Sequence, residues 1–323
     1  MINFAVLAAG SIAGKMSHAV SGLKEINKYA VASRSLERAE QFAAEWGYTK
    51  AYGSYEEMLG DAEVELVYVA SPHSHHYEHT KMCLEAGKHV LVEKAFTVNA
   101  GQAEELVALA REKNLLLVEA MWTRFLPARQ MIDDLLAQGT IGEITSLTAN
   151  LGYSMRHKER LIKPELAGGA LLDVGVYPIQ FALMTIKEKV VKITSDAVLS
   201  PEGIDYTNSV TLTFESGKMA VLHSSMLSLT DREGVIYGEK GSIRVHNIDN
   251  CEGIDVYDGN GNKIKEIAVP PQINGYEYEV LACAEAIQKG EIECLQMPHE
   301  ETLRGMRILD TIRGQWGIKY PGE

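Results

Sequence analysis

The pair Glu93-Lys94 directly follows the apolar run Val90-Leu91-Val92. In a doubly wound α/β fold, the carboxyl ends of the central strands gather the reactive side chains. A lysine at such a place can hold a negative charge or transfer a proton, so the pair is the first candidate for catalysis. A purely structural ion pair is the alternative that these two residues leave open.

A second candidate is the turn Ala8-Ala9-Gly10-Ser11-Ile12-Ala13, which follows the first apolar run. It occupies the place of a GxGxxG or GxGxxA fingerprint, with Ala8 instead of the first glycine. Gly10 would let the backbone approach a pyrophosphate, and Ala13 is small enough for close helix–strand packing. The free N–H groups at the helix start would bind phosphate. An ordinary strand–helix turn is the alternative.

The end of the second apolar run reads Ser33-Arg34-Ser35, with Arg38 one helical turn beyond Arg34. An NAD enzyme usually has Asp or Glu here, against the ribose 2′-hydroxyl group. Two guanidinium groups, a hydroxyl group and no acid suit a 2′-phosphate, which predicts NADP as the cofactor rather than NAD. A solvated basic helix start is the alternative, and it is disfavoured because cations oppose the helix dipole there.

Four histidines lie close together in the sequence, namely His73, His75, His76 and His79. The i,i+4 pair His75/His79 could bind a metal ion. No local set of carboxylates and cysteines completes such a site, and a helix N-terminus disfavours a cation. We therefore expect no metal, and histidines that are solvated or adjacent to a cofactor.

The composition narrows the class of protein. The chain has 323 residues, 46% of them hydrophobic, which is enough for about two domains with buried cores. A formal charge of −13 disfavours a nucleic-acid or membrane-surface partner. Four cysteines without CxxC spacing predict reduced thiols, and we recognise no signal peptide and no apolar run that approaches a membrane span. We expect a cytoplasmic protein.

In the first part of the chain, short β-rich runs alternate with segments of helical periodicity. This alternation predicts βαβ units in a doubly wound parallel sheet, with ligands at the carboxyl ends of its strands. The predicted strands are residues 3–7, 29–32, 66–70, 89–92 and 115–119, and the predicted helices are 12–23, 36–46, 74–85 and 102–113. Ser54 and Asn99 are predicted to begin helices.

After Pro127, a helix at 128–138 leads into long alternating runs separated by turn signals, which predict a large, mainly antiparallel open sheet in an α+β domain. The predicted strands are 143–153, 190–198, 209–214, 219–226, 235–237, 242–246 and 264–269, and helices return at 277–289 and 300–316. We expect a dinucleotide-binding Rossmann domain at 1–121 and a substrate and dimerisation domain at 122–323. We expect the last helix to pack back on the first domain, and a second subunit to cover the open sheet.

Several segments, taken in order, resemble one family. They are residues 32–35, Ser71-Pro72-His73 with His76-Tyr77, and residues 85–94, 119–125 and 168–177. Together they are similar to the glucose–fructose oxidoreductase/inositol dehydrogenase (Gfo/Idh/MocA) family over nearly the whole chain. Within it, they are most similar to the branch of dimeric, NADP-dependent dihydrodiol and D-xylose dehydrogenases.

The resemblance implies an enzyme that transfers hydride between NADP and a secondary hydroxyl group of a sugar, cyclitol or trans-dihydrodiol, and that forms a homodimer through the open sheet. It implies Lys94 and Tyr177 as the catalytic pair, with Asp173 orienting the substrate or the lysine. The tyrosine favours the diol dehydrogenase branch, since many members have His there. Two residues depart from the family pattern: Ala8, and Ala95 in place of proline. Ala95 could loosen the backbone that presents Lys94, or a neighbouring strand could fix that backbone.

Tyr177 and Lys94 divide the expected chemistry. The pKa of a tyrosine hydroxyl group is ordinarily near 10, so alone it is a poor base at neutral pH. A lysine ammonium group within ~4–6 Å would lower that pKa. We predict Tyr177 as general acid/base and Lys94 as its activator and substrate ligand, with Lys94 itself as base the close alternative. Asp173 precedes Tyr177 by four residues, so on a helix both point the same way; a helix-start carboxylate is its other interpretation.

Trp122 and Arg124 follow a strand end and are expected to line the nicotinamide or the substrate, unless they form a buried aromatic–Arg stack. Tyr276 and Tyr278 are expected at a domain or subunit contact. The predicted cofactor site comprises Gly10, Ser11, Ile12, Ser33, Arg34, Arg38, Ser71, Pro72, His73, His76, Glu93, Lys94, Trp122 and Arg124. The predicted substrate site comprises Lys94, Trp122, Asp173 and Tyr177.

Two other functions stay open. A non-enzymatic NADP-binding regulator would be marked by loss of the lysine, but Lys94, Asp173 and Tyr177 are all present. An NAD-linked inositol or sugar dehydrogenase would have an acid near position 33, which is absent. Which of the three substrate classes is physiological does not follow from the sequence.

Overall fold

The computed structural model describes all 323 residues. The chain divides into two compact units, each made of segments that are distant in sequence. Unit 1 is Met1–Phe125 with Gln272–Met306, and unit 2 is Leu126–Pro271 with Arg307–Glu323. The division therefore does not follow one cut between residues 121 and 122, because the chain returns to unit 1 near its C-terminal end.

The strands and helices follow each other in a regular order in the first part of the chain and less regularly afterwards. The strands are β1 (Ile2–Leu7), β2 (Ile26–Ala32), β3 (Lys50–Tyr52), β4 (Leu66–Val69), β5 (His89–Glu93), β6 (Leu117–Ala120), β7 (Ile144–Gly152), β8 (Val190–Leu199), β9 (Asp205–Phe214), β10 (Met219–Ser225), β11 (Gly234–Gly238), β12 (Gly241–His246), β13 (Gly253–Asp258) and β14 (Lys263–Ile267). The helices are α1 (Ser11–Ala19), α2 (Leu36–Trp46), α3 (Tyr55–Leu59), α4 (His76–Glu85), α5 (Ala100–Lys113), α6 (Pro127–Ala137), α7 (Glu159–Ile162), α8 (Val176–Thr185), α9 (Glu277–Lys289) and α10 (His299–Trp316).

Unit 1 contains a six-stranded parallel sheet in the order β3-β2-β1-β4-β5-β6. This is the order of a doubly wound dinucleotide-binding fold, in which the chain starts at the centre and winds outwards twice. Every residue of β4 is buried, which is expected when helices cover both faces of a parallel sheet. The predicted Rossmann fold of this unit is confirmed.

The predicted helix starts in unit 1 are confirmed by their capping bonds. The Ser54 hydroxyl oxygen accepts the Glu57 N–H at 3.2 Å, and the Asn99 side-chain oxygen accepts the Gln102 N–H at 2.9 Å. Each bond satisfies one backbone donor that a helix start leaves without an intrahelical acceptor. The caps thus mark where α3 and α5 begin.

Unit 2 contains an eight-stranded sheet in the order β14-β13-β12-β11-β7-β10-β9-β8. All neighbours are antiparallel except β7 and β10, so the sheet is mainly antiparallel as predicted. Helix α8 packs against β7 and β10 on one face. In β10, Ala220 and Leu222 are buried, whereas the alternate residues Met219 and Val221 are exposed. Part of the second face of the sheet is therefore apolar and open.

One apolar segment is longer than the sequence patterns indicate. Pro164–Thr185 spans 22 residues, reaches a mean hydropathy of 1.4 and could cross a membrane by length and composition alone. However, 94% of its most apolar stretch is buried inside the protein, so it serves as core. The expectation that no apolar run approaches the length of a membrane span is wrong for this segment.

Candidate active site

The turn between β1 and α1 forms the first part of the site. The Gly10 N–H donates to the Ala8 carbonyl oxygen at 2.9 Å, which folds the chain sharply before the helix. A side chain at Gly10 would meet no atom within 4 Å, so there is open space beside the loop. Ser11 and Ile12 begin α1, where the first N–H groups have no intrahelical acceptor. The turn is therefore suited to bind an anion.

Ala8 has a φ angle of +79°, in the left-handed region that favours glycine. The backbone thus adopts the conformation expected at the first glycine of the fingerprint although the residue is alanine. A non-glycine residue pays about 1 kcal/mol or more for this conformation. Alanine in place of glycine at position 8 therefore raises the conformational free energy of the turn, but the turn keeps its shape.

Two arginines follow the end of β2, where the Ala32 carbonyl oxygen accepts the Ala8 N–H of the glycine turn at 3.1 Å. The Ser35 hydroxyl oxygen accepts the Arg38 N–H at 3.4 Å and caps α2. Arg38 Nε donates to the Ala9 carbonyl oxygen at 3.1 Å, whereas Arg34 is exposed and makes no hydrogen bond or ion pair within the chain. Burial raises the pKa of Tyr55, and the charges of both guanidinium groups oppose that shift, so both lie near its ring. Two cations, neither of them in an ion pair within the chain, thus lie where a 2′-phosphate is predicted.

Lys94 follows β5 and is half-buried. The Lys94–Ala95 peptide bond is cis. Beyond it, the Phe96 N–H donates to Glu119 Oε1 of β6 at 3.2 Å, and the Ala95 carbonyl oxygen lies 2.7 Å from His76 Nδ1. A neighbouring strand and helix α4 thus fix the backbone after Lys94, which is the second of the two outcomes considered for Ala95.

A cluster of buried acids lies next to this lysine in the fold, and the sequence analysis did not foresee it. Glu93 is buried and accepts a hydrogen bond from the Tyr68 hydroxyl group. Glu279 of α9 is fully buried, neither of its carboxylate oxygens has a hydrogen-bond partner, and burial with the nearby Glu93 raises its pKa well above the usual range. Burial also raises the pKa of Glu119 to about 7, against the lowering effects of the Thr302 hydroxyl group and other partners.

Trp122 and Arg124 both have partners inside unit 1. The Trp122 ring stacks on the Tyr276 ring, with centroids 4.3 Å apart and planes 4° from parallel. Arg124 is buried and pairs with Glu301 at 2.7 Å. Tyr276 thus packs within one unit, and its partner is the tryptophan predicted to line the cofactor or substrate. The two strand-end residues make an aromatic stack and an ion pair, each with a different partner.

The histidine-rich segment after β4 is held by short polar contacts. His73–His75 form one turn of 3₁₀ helix after Pro72, and α4 starts at His76. The His73 and His76 rings lie edge to face, with centroids 5.6 Å apart. Besides contacting Ala95, His76 places Nε2 2.8 Å from the Ser71 carbonyl oxygen. Within the chain, no group of three or more His, Cys, Asp or Glu side chains is arranged to hold a metal ion.

Asp173 and Tyr177 lie in unit 2, where one π-helical turn, Leu171–Gly175, leads into α8. Both side chains are buried, at 5% and 7% exposure. Asp173 Oδ1 accepts a hydrogen bond from Arg160 at 2.9 Å. Wide turns of this kind are frequent at functional sites. The arginine partner is a further site residue that the sequence analysis missed.

The π-helical turn is itself held by Asp205 of β9. Asp205 Oδ2 accepts the Leu171 N–H and the Asn208 side-chain N–H, each at 2.8 Å. Gly169 has a φ angle of +115°, and a side chain there would collide with the Asp205 carboxylate, so this position requires glycine. Burial raises the pKa of Asp205 to about 7. Only the paired glycines at 168 and 169 signalled this close approach in the sequence.

Comparison with known proteins agrees with this geometry. Residues 2–120 match the profile of an oxidoreductase family with an NAD-binding Rossmann fold (GFO_IDH_MocA), and residues 129–244 match a GFO/IDH/MocA C-terminal domain. A mouse (Mus musculus) protein named trans-1,2-dihydrobenzene-1,2-diol dehydrogenase is 34% identical, with 100% of this chain and 99% of the relative covered. The human (Homo sapiens) protein of that name is 35% identical, with 91% and 90% covered. The chain belongs to the Gfo/Idh/MocA oxidoreductase family.

Two solved structures share the fold over nearly the whole chain. A 3-ketoreductase from Actinomadura kijaniata, in complex with TDP-benzene and NADP, is 27% identical with a TM-score of 0.86, over 97% of this chain and 96% of that one. An aldose–aldose oxidoreductase from Caulobacter crescentus has a TM-score of 0.89 at 20% identity, over 98% and 97% of the two chains. The second likeness concerns the fold alone. The two-domain Gfo/Idh/MocA architecture and the oxidoreductase class predicted from the sequence are confirmed.

Within this family fold, the predicted site residues fall on both units. The predicted cofactor residues all belong to unit 1. Asp173 and Tyr177 belong to unit 2. Lys94 lies in unit 1, in the segment after β5, and Tyr177 lies in unit 2, at the start of α8.

Proposed function

We propose that this protein is an NADP-dependent dehydrogenase that acts on a secondary hydroxyl group of a sugar, a cyclitol or a trans-dihydrodiol. The observation that carries the choice of cofactor is the unpaired Arg34 guanidinium group, with Arg38 beside the glycine loop and no acid at the end of β2. The full-length relatives named trans-1,2-dihydrobenzene-1,2-diol dehydrogenase support the substrate class.

The side chains and backbone of unit 1 suit NADP. The N–H groups at the start of α1 would bind the pyrophosphate, and Arg34 and Arg38 would bind the 2′-phosphate as charge-assisted donors. The open space at Gly10 leaves room for the phosphates against the backbone. When bound, the nicotinamide exchanges a hydride with the carbon atom that bears the hydroxyl group.

Tyr177 and Lys94 would handle the proton in this reaction. Oxidation of the alcohol removes a hydride and the hydroxyl proton, so a base must accept that proton. We assign this role to the Tyr177 hydroxyl oxygen, and the Lys94 ammonium group would hold the substrate oxygen and favour the ionised tyrosine. In the reverse direction, the tyrosine returns the proton to the carbonyl oxygen. The firmly held backbone at Ala95 and Phe96 would keep Lys94 in one position.

Asp173 would act through its neighbours. Its carboxylate is paired with Arg160, and it lies one turn before Tyr177. The pair fixes the π-helical turn from which the tyrosine starts. We therefore regard Asp173 as a positioning residue for Tyr177.

A panel of substrates decides the function most directly. Aldoses, cyclitols and trans-dihydrodiols are each offered with NADP and with NAD, and reduction of the nicotinamide is followed by absorbance. Turnover with NADP on one class supports the proposal, and Lys94→Ala and Tyr177→Phe should each abolish it while NADP binding persists. Lys113→Ala, on the exposed end of α5, is the matched control. Preference for NAD would favour the inositol or sugar dehydrogenase, and NADP binding without turnover would favour the regulator.

We also propose that the protein forms a homodimer through the open face of the eight-stranded sheet. Val191, Met219, Val221 and Tyr237 are exposed apolar residues on four positions of β8, β10 and β11. Apolar side chains on the uncovered face of a sheet favour association with a second copy of the same face. Sedimentation of the purified protein tests this, since a monomer at micromolar concentration would contradict it.

A cytoplasmic location is the last part of the proposal. All four cysteines are free and buried, which suits a reducing compartment. Fractionation of cells that express the tagged protein tests the location. Recovery in a secreted or membrane fraction would contradict it.

A further inference from the structure

A packed aromatic cluster follows the ends of β3 and β4, and none of its members is among the residues predicted to bind the cofactor. It consists of Tyr55, His75 and His79. The Tyr55 ring meets the His79 ring edge on, with centroids 4.9 Å apart and planes at 73°. The His75 and His79 rings are stacked, with centroids 5.6 Å apart and planes at 30°. All three side chains are half-buried, so the cluster is a formed surface with one side open to solvent.

The imidazole of His79 is held in one orientation. Its Nδ1 atom lies 2.9 Å from the hydroxyl oxygen of Ser71 at the end of β4. When the Ser71 hydroxyl group donates to Nδ1, the hydrogen of the neutral ring resides on Nε2. Nε2 makes no hydrogen bond within the chain and is therefore a donor that is ready for a ligand.

The charges around His79 are mostly positive. The pKa of His79 is lowered to about 4, mainly by burial and also by the charges of His75, His76 and Arg34. Glu56 of α3 is the one group that opposes them. The ring is therefore neutral at pH 7, and it lies in a positive field that an anionic ligand would relieve.

We propose that His79, supported by Tyr55 and His75, is a third donor to the 2′-phosphate of NADP, together with Arg34 and Arg38. This assignment rests on the proposed NADP dependence. The Ser33 N–H donates to the Tyr52 carbonyl oxygen at 3.2 Å, so the segment that carries Arg34 runs beside the segment that leads to Tyr55. The Tyr55 ring in turn contacts the His79 ring, and the charge of Arg34 acts on both. The imidazole would contribute one directed N–H donor to a site whose cations are otherwise long and flexible. The histidine pair thus helps to choose the phosphorylated cofactor.

Stacking of the two rings argues against the metal site that their i,i+4 spacing allowed. A shared metal ion needs nitrogen atoms that converge on one point, whereas Nδ1 of His75 faces the Ser74 hydroxyl oxygen at 2.9 Å and Nδ1 of His79 faces Ser71. The Nδ1 atom of each ring thus contacts a nearby serine hydroxyl oxygen. The pair provides a flat aromatic wall with donors at its edge.

The test compares binding of NADP and NAD to the full-length protein by quenching of its intrinsic fluorescence. We expect His79→Leu, which has no donor, to raise the Kd for NADP about tenfold, the loss typical of one hydrogen bond to a charged group, and to leave the Kd for NAD within about twofold. His79→Phe keeps an aromatic ring against Tyr55 and His75 but has no donor, so it should show the same loss if the proposal holds. His157→Leu, at an exposed histidine in unit 2, is the matched control.

The outcomes separate this inference from the proposed function. An equal rise in both Kd values would mean that His79 contacts the shared adenosine, and it would overturn the assignment to the phosphate. Unchanged Kd values in both variants would also overturn it, although the NADP dependence would stand. A wild-type protein that prefers NAD would overturn the proposed cofactor itself.

Discussion

The Nδ1 atom of His76 lies 2.7 Å from the carbonyl oxygen of Ala95, the residue that follows Lys94. The Nε2 atom of the same ring lies 2.8 Å from the Ser71 carbonyl oxygen. Carbonyl oxygens only accept hydrogen bonds, so both bonds form together only when both ring nitrogens carry hydrogen. His76 is 1% exposed and was predicted to bind the cofactor. In the structure its ring nitrogens tie the β4 end to the Lys94 segment.

His76→Gln tests this tie. A glutamine amide can donate to one carbonyl oxygen at this place but not to both, and a buried acceptor left unpaired costs about 1–3 kcal/mol. We expect a free energy of unfolding lower by about 2 kcal/mol and a kcat lower by about tenfold, because Lys94 loses its fixed backbone. The KM for NADP should change less than kcat if the ring acts on the lysine segment. A change confined to KM would instead show direct contact with the cofactor, and His157→Gln serves as control.

Ala8→Gly should stabilise the protein. Ala8 holds a φ angle of +79°, where a Cβ atom is unfavourable, and glycine removes that cost. Glycine also makes the unfolded chain more flexible, so we expect a net gain of about 0.5–1 kcal/mol, seen as a higher midpoint in thermal unfolding. Ala13→Gly, inside α1, should lower stability by about 1 kcal/mol. Equal losses in both variants would show that the turn at Ala8 is not strained.

Local patterns in the sequence predict much of the fold. The predicted helices 36–46 and 277–289 have the bounds of α2 and α9, because each has a clear apolar face and a marked start or end. Strand β3 was missed, since three residues are too few to show a period. Strand β13 was missed because it contains Asp255, a charged residue that is buried against His246 and other polar partners. A charged residue at a buried position hides the apolar alternation of a strand. The parallel pairing of β7 with β10 depends on which strands meet, and alternation within a strand does not reveal that.

The site was predictable where its residues follow the ends of strands. The glycine turn and Lys94 stand at such ends, and their types show what they can bind. The residues that the sequence analysis missed act across long stretches of chain: Asp205 holds the turn at Leu171, and Glu119 holds Phe96. Such contacts exist only once the sheets have formed, so no spacing in the sequence marks them.

Glu119 should make stability depend on pH. Burial raises its pKa from 4.5 to about 7 in the folded protein, so between these values the folded state binds more protons than the unfolded state. The contribution of Glu119 to the free energy of unfolding is fully present below pH 4.5. It is lost as the pH rises through 7, and the total loss is about 3 kcal/mol. Glu119→Gln cannot ionise and lacks this loss. We expect the variant to gain stability relative to the wild type between pH 5 and pH 8.

Urea unfolding of both proteins at pH 5 and pH 8 measures this difference. All other titrating groups are shared, so their effects cancel when the two proteins are compared at each pH. Glu104→Gln, on the exposed surface of α5, should follow the wild type at both pH values. If the free energy of unfolding changes with pH equally in Glu119→Gln and in the wild type, the Glu119 carboxyl group titrates alike in the folded and unfolded states.

Val221→Glu tests the proposed dimer face. Val221 lies in β10, 50% exposed and on the side of the sheet opposite the buried Ala220 and Leu222. In a symmetric dimer each substitution occurs twice, and the two new carboxylates would lose water without gaining a partner. We expect sedimentation velocity to show a shift from dimer to monomer, with the far-ultraviolet circular dichroism unchanged. Leu295→Glu, at a residue 90% exposed in unit 1, should stay dimeric. If Val221→Glu stays dimeric too, the copies associate through a different surface, and the apolar stripe on β10 needs another partner.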